Sequence, residues 1–206
     1  MLISACNGLD IEKFKVTVTI EDNGIRYTGS AVQGISCGSE LKIGSVFLLG
    51  RSCRPFGEAV PIKLGNKGWV FMIFSGYSYY DGPADKMLGF SPLLYPSTIQ
   101  ATRSNEQPKR PWIVPAFRAP IFVRFGDLNN RRTVEQVDAE HLDKHFGRGV
   151  KLVSIQCEPT FLWVTRGKIR RLLPWLDELG TDKFDMTLAN DYSNILTQIA
   201  PVNFRW

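Results

Sequence analysis

A regular alternation of apolar and polar residues near the start of the chain restricts its fold more than any other feature. Every second position is apolar, at Phe14, Val16, Val18 and Ile20, and lysine or threonine fills the positions between. Successive side chains of a strand point to opposite faces, so this pattern predicts a half-buried β-strand. Residues 21–24 read Glu-Asp-Asn-Gly, and Asn-Gly favours a tight turn. We therefore predict a hairpin whose second strand covers residues 25–35.

Similar patterns continue along the chain and predict a mostly β protein. Gly65-Asn66-Lys67-Gly68 is typical of a hairpin turn between strands at 58–64 and 69–74. The run Trp69–Phe74 is apolar throughout, which indicates a strand buried on both faces. Shorter segments complete the prediction: strands at 46–49, 121–125, 133–137 and 151–158, a helix after Asp138, and a helix at 168–179 interrupted by Pro174. The predicted fold class is α+β but mostly β, with antiparallel hairpins in a sandwich-like or barrel-like sheet and two or three short helices.

Cys6 gives the clearest indication of cellular location. Residues 2–6 read Leu-Ile-Ser-Ala-Cys, which resembles the lipobox of a bacterial lipoprotein, although a full secretory signal needs more than the five residues before Cys6. The alternative is a chance cysteine among small residues. We expect residues 1–10 to be a lipobox remnant and tether, and residues 11–206 to form a single globular domain. Asn7 after the cysteine favours sorting to the outer membrane, so the expected location is the periplasm.

The other cysteines divide into a pair and a single residue. Cys37 and Cys53 flank a predicted hairpin, and a disulfide between them would close a loop of about 15 residues, worth about 3 kcal/mol. Oxidation of this kind is expected outside the cytosol. The alternative is two reduced core cysteines. Cys157 alternates within a predicted strand and is expected to be a small buried hydrophobe.

Residues that could support catalysis or metal binding are sparse. His141 and His145 are four positions apart and would share a helix face next to Asp138, but no further ligand cluster accompanies them. The chain has no G-x-S-x-G sequence and no phosphate-binding glycine pattern. Carboxylates such as Glu58 could form a glycosidase-like pair, as in almost any globular protein. We expect no enzymatic activity, no metal and no cofactor.

Two stretches are candidates for binding a partner. The net charge of +5 is mild and falls short of what a nucleic-acid-binding protein shows. Aromatic residues recur in an irregular stretch at Tyr77, Tyr79, Tyr80 and Trp112, and basic residues cluster at Arg166, Lys168, Arg170 and Arg171. Exposed aromatics often dominate binding, whereas basic residues assist encounter. The alternatives are aromatics that pack the loop onto the sheet and a solvated helix face. Trp163 and Trp175 could be core residues or an interfacial anchor, and core positions are the expectation.

Several separated segments, in order, resemble a group of uncharacterised proteobacterial lipoproteins. They are KVTVTI with TGSAV, GEAVPIKLGNKG, the stretch from 123 to 152, VTRGKIRRLLPWL and the closing NFRW. The resemblance implies no established activity. Small lipoproteins of this class include immunity proteins against type VI lipase effectors. The expected function is therefore a non-enzymatic periplasmic lipoprotein that neutralises a partner protein. A lipid- or glycan-binding module of the cell envelope is the alternative, and a periplasmic hydrolase is a further one.

Overall fold

The computed structural model describes residues 10–40, 50–73, 110–116, 119–180, 184, 199 and 201–204. In this part of the chain nine strands occur: β1 (Asp10–Asp22), β2 (Ile25–Glu40), β3 (Gly50–Phe56), β4 (Val60–Lys63), β5 (Trp69–Met72), β6 (Trp112–Val114), β7 (Phe122–Phe125), β8 (Val134–Val137) and β9 (Val150–Pro159). Two short helices accompany them, α1 (Asp143–Phe146) and α2 (Lys168–Leu172). Single 3₁₀ turns lie at Gly65–Lys67, Arg131–Thr133, Pro174–Asp177 and Pro201–Asn203.

The strands form two antiparallel sheets that pack face to face. The five-stranded sheet has the order β3-β2-β1-β9-β6, and the four-stranded sheet has the order β4-β5-β7-β8. The β1–β2 hairpin forms as predicted: Asp22 pairs with Ile25, and both Asn23 and Gly24 adopt positive φ. The alternating apolar residues of β1 are all buried between the sheets. The predicted sandwich-like, mostly β fold with short helices is confirmed.

The first core lies between the two sheets. It combines the inward side chains of β1 with residues of β4, β5, β7 and β9, and with Leu142 and Phe146 of the α1 region. β4 crosses β2 closely, because a Cβ at Gly29 would collide with the carbonyl oxygen of Pro61. Glycine is therefore required where the sheets approach each other, and a larger residue there would push them apart.

A second core covers the other face of the four-stranded sheet. Side chains of β5 and of the residue after it alternate between the two cores: Val70 and Met72 enter the first, whereas Phe71 and Ile73 enter the second. The prediction of a strand buried on both faces is confirmed for the described residues of this run. A C-terminal layer closes the second core with Ile169, Leu173, Leu176, Leu179, Phe184, Ile199 and Phe204. The described residues therefore form three layers, and the four-stranded sheet is the middle one.

The helix predicted after Asp138 is shorter than expected. Asp138 does not cap it: its carboxylate accepts a hydrogen bond from the Glu140 N–H at 2.9 Å, and α1 begins only at Asp143. Aspartate side chains favour such local turns because they compete with helical hydrogen bonds. The apolar face is nevertheless as predicted, since Leu142 and Phe146 are buried.

The backbone register bears on the predicted disulfide. Cys37 of β2 and Cys53 of β3 are direct Cα partners in the antiparallel pair. Cross-strand partners lie within the Cα separation that a disulfide requires. The bridge itself stays a prediction. Cys157 is buried as expected, and burial raises the pKa of its thiol to about 12.

Candidate interaction surface

Residues 160–167, named here the aromatic loop, connect β9 to α2 and are held by the five-stranded sheet. The Thr160 N–H donates to the carbonyl of Lys13 at 2.9 Å. At the other end, the Thr165 N–H donates a hydrogen bond to the carbonyl of Val32 at 2.9 Å. The Val32 N–H in turn donates a hydrogen bond to Thr165 Oγ1 at 2.7 Å. Because both ends are bonded to sheet strands, the loop has a defined position on the scaffold.

The tip of the aromatic loop presents three consecutive apolar side chains to solvent. Phe161 is 100% exposed, Leu162 is 58% exposed and Trp163 is 91% exposed. Among the other described large apolar residues the highest exposure is 65%, at Ile113. Contiguous exposed apolar side chains of this size usually mark a contact with a protein or a membrane. The tip therefore has no role in the core and is available for a contact outside the molecule.

Lys13 links the loop tip to the first strand. Its ammonium group donates to the carbonyl of Phe161 at 3.3 Å and lies 5.7 Å from the ring centroid of Trp163. A cation over an aromatic face is attracted by the negative charge density of the ring. This contact orients the loop tip and places a positive charge at its base.

Glu58 fixes the segment that follows the loop. This residue is 4% exposed, and its carboxylate accepts hydrogen bonds from the backbone N–H groups of Gly167, Lys168 and Ile169. The N···O distances are 2.9 Å for Lys168 and 3.4 Å for Ile169. Gly167 has a φ of +82°, a conformation that favours glycine. An anion at a helix N-terminus satisfies its free donors. The candidate acid of the sequence therefore has a structural role at the start of α2.

The basic residues predicted to bind a partner lie in and after the aromatic loop. Arg166, Arg170 and Arg171 are exposed, whereas Lys168 is half-buried and donates to the carbonyl of Ser30 at 3.0 Å. Arg170 also pairs with Asp177 at 2.7 Å. No ion pair between described residues involves Arg166 or Arg171. Arg166, within the loop, and Arg171, in α2, are therefore exposed cations without a carboxylate partner among the described residues.

Of the aromatic residues predicted to bind a partner, Trp112 lies among the described residues. Tyr77, Tyr79 and Tyr80 lie outside the described residues. Trp112 is half-buried on β6, where its ring meets Phe14 edge to face at 5.1 Å and packs against the first core. Binding of a partner by Trp112 stays a prediction.

The two C-terminal tryptophans differ from each other. Trp175 packs against the second core and donates its indole N–H to the carbonyl of Leu128 at 2.6 Å, so its core position is confirmed. The expected core position of Trp163 is wrong. Pro159 ends β9, and among the described residues Trp163 belongs to neither core and lies beside Lys13. A sequence signal was available, because residues 160–163 show neither strand nor helix periodicity.

The two histidines do not share a helix face. His141 precedes α1 and bonds Asp138 at 2.7 Å, whereas His145 lies in α1, 3.9 Å from Glu135. The bond to His141, with that from the Glu140 N–H, lowers the pKa of Asp138. The predicted common face is wrong because the helix starts after His141. Within the described residues, no group of three or more His, Cys, Asp or Glu side chains is placed to hold a metal ion.

Comparisons with family models, curated proteins and solved structures found no match for this chain. The described part of the chain contains no helix long and apolar enough to cross a membrane.

Proposed function

We propose that this chain is a non-enzymatic lipoprotein of the periplasm, anchored by a lipid on Cys6 at the outer membrane, whose folded domain binds the membrane surface through the aromatic loop. The observation that carries this proposal is the exposure of Phe161 and Trp163 on a loop bonded to the sheet at both ends. Tryptophan and phenylalanine favour the interface between lipid headgroups and acyl chains. A tip of this kind can enter that interface without any rearrangement of the core.

The position of the loop next to the first strand supports a membrane contact over other contacts. Lys13, which touches both Phe161 and Trp163, follows Cys6 by only seven positions. Even a fully extended chain would span only about 25 Å between these two residues. A lipid on Cys6 would therefore hold the bilayer within reach of the loop tip. The lipid would supply attachment, and the loop would fix the orientation of the domain.

Quenching of tryptophan fluorescence by brominated lipids tests the loop contact. We expect vesicles with bromine on the acyl chains to quench the wild-type protein, because Trp163 would lie at the edge of the bromine-containing layer. Trp163→Phe should lose most of this quenching while keeping its affinity within about threefold. Equal quenching of both proteins, or none of either, would rule out the loop as the membrane contact.

Lipidation needs a separate test. In the native host, a fatty-acid analogue should label the wild-type protein, and Cys6→Ser should remain unlabelled. An unlabelled wild-type protein would remove the anchor from the proposal, and binding by the loop alone would then have to account for attachment.

A second candidate function is the neutralisation of a partner protein, as in an immunity protein for a secreted effector. The exposure of Trp163 and Arg166 three positions apart in one loop favours it, since Trp and Arg are enriched at binding hot spots. Photoreactive phenylalanine at position 161 separates the two functions. A discrete crosslinked protein in the host would favour the partner protein, whereas crosslinks to lipid would favour the membrane.

A further inference from the structure

We infer that the aromatic loop selects membranes with anionic headgroups, an inference that rests on the proposed membrane-binding function. The loop tip is flanked by two basic side chains, Lys13 at its base and Arg166 after its last aromatic residue. No ion pair between described residues involves either of them. When an apolar tip enters the interface, cations at its base reach the depth of the lipid phosphates.

The acidic side chains around the loop do not cancel these charges. Glu158 is the cross-strand neighbour of Lys15, so these two charges face each other on the sheet surface. Glu58 is buried and accepts three N–H groups of the segment that begins at Gly167. Glu12 alternates with Lys13 along β1 and therefore lies on the opposite face of the strand. A local excess of positive charge remains at the loop.

The opposite end of β1 shows a different arrangement of charge. Glu21 pairs with Lys151 at 2.8 Å and with Arg26 at 3.7 Å, and Asp22 pairs with Lys67 at 2.8 Å. The hydrogen bond from Lys151 lowers the pKa of Glu21. Lys151, Arg26 and Lys67 at this end are therefore paired with carboxylates, whereas Lys13 and Arg166 at the loop end have no ion pair with a described residue. The five-stranded sheet carries an electrostatic difference along its length, and the apolar tip lies at its positive end.

Binding to vesicles tests this selection. The chain carrying Cys6→Ser, which removes the acylation site, is mixed with vesicles of pure phosphatidylcholine or of phosphatidylcholine with 30% phosphatidylglycerol. Bound protein is measured by co-sedimentation at low and at high salt. We expect at least tenfold tighter binding to the anionic vesicles, with most of this difference lost at high salt because surface charge is screened.

Paired variants separate the apolar and the electrostatic contributions. Phe161→Ser with Trp163→Ser should weaken binding to both kinds of vesicle by at least tenfold. Lys13→Gln with Arg166→Gln should weaken binding to the anionic vesicles alone, by about fivefold for each charge removed. The control variants lie near the other end of β1: Ile25→Ser for an exposed apolar residue, and Arg26→Gln with Arg148→Gln for the same change of charge. Binding of these controls should stay within about twofold of wild type.

Each remaining outcome contradicts a different statement. Equal affinity for both kinds of vesicle, with no effect of the charge variants, would overturn the anionic selection and leave membrane binding intact. No binding to either kind of vesicle would overturn the proposed function itself. An equal loss in the variants at both ends of β1 would show that net charge, and not the loop end, attracts the protein.

Discussion

Two neighbouring stretches of the C-terminal third place apolar side chains in opposite environments. In the aromatic loop, Phe161 and Trp163 are almost fully exposed. A few residues later, Ile169, Leu173 and Leu176 are completely buried in the second core. In sequence the two stretches look alike, because each mixes large apolar residues with arginine or lysine.

The difference lies in what holds each stretch in place. The aromatic loop is held by backbone hydrogen bonds to β1 and β2 and by the ammonium group of Lys13. The layer that begins with α2 is held by apolar burial, once Glu58 has capped the first turn. Apart from the contact between Lys13 and the ring of Trp163, the loop therefore keeps its position without its aromatic side chains. Substitutions at the loop tip should therefore cost little stability, whereas substitutions in the layer that begins with α2 should cost much more.

Leu176→Ala should show the largest effect on stability. Removal of a fully buried leucine side chain leaves a cavity in the second core, with a typical cost of about 3 kcal/mol. Phe161→Ala with Trp163→Ala should change the free energy of unfolding by less than about 0.5 kcal/mol, as expected at exposed positions. Urea denaturation of both variants measures the contrast. A loss above about 2 kcal/mol in the loop variant would show that the loop tip belongs to the core.

The sequence predicts the architecture better than it predicts the surface. Strict alternation in β1 and the Asn-Gly turn determine the first hairpin, because a half-buried strand needs one apolar face. The burial of β5 on both faces follows in the same way from its continuous hydrophobicity. The hairpin and the buried strand can be predicted because each depends on a local pattern of apolar and polar residues in the sequence.

The candidate site depends on contacts that are distant in sequence. Lys13 meets Trp163 across 150 positions, and Glu58 reaches Lys168 across 110. No local pattern indicates such neighbours, so Trp163 is expected in the core and Glu58 among possible catalytic carboxylates. His141 is a different case, because its bond to Asp138 is local, only three positions apart, and competes with the expected helix.

Glu58→Ala should have the next largest effect. It leaves three N–H groups at the start of α2 without their acceptor, and a buried group of this kind costs about 2 kcal/mol. Because α2 carries Ile169 into the second core, the loss should appear as faster hydrogen exchange of α2 and of the residues that follow it. Glu178→Ala, an exposed glutamate in the same layer, is the control and should be neutral. Slow exchange in α2 of the Glu58 variant would show that apolar packing alone holds the helix.

Lys13→Gln should have the smallest effect on stability and the most specific one on the loop. The variant loses a cation 5.7 Å from Trp163, a contact worth about 0.5 kcal/mol at an exposed site. Lys63 lies 5.9 Å from the ring of Trp69 on the hairpin of β4 and β5, and Lys63→Gln provides a matched control. The free energy of unfolding of both variants should lie within about 1 kcal/mol of the wild-type value. The indole resonance of Trp163 should sharpen and shift in the Lys13 variant, because that ring has no core contact to hold it. The indole resonance of Trp69 should keep its line width in the Lys63 variant, because that ring packs against Phe71. If both indoles responded equally, Lys13 would be an ordinary surface lysine, and the backbone alone would orient the loop tip.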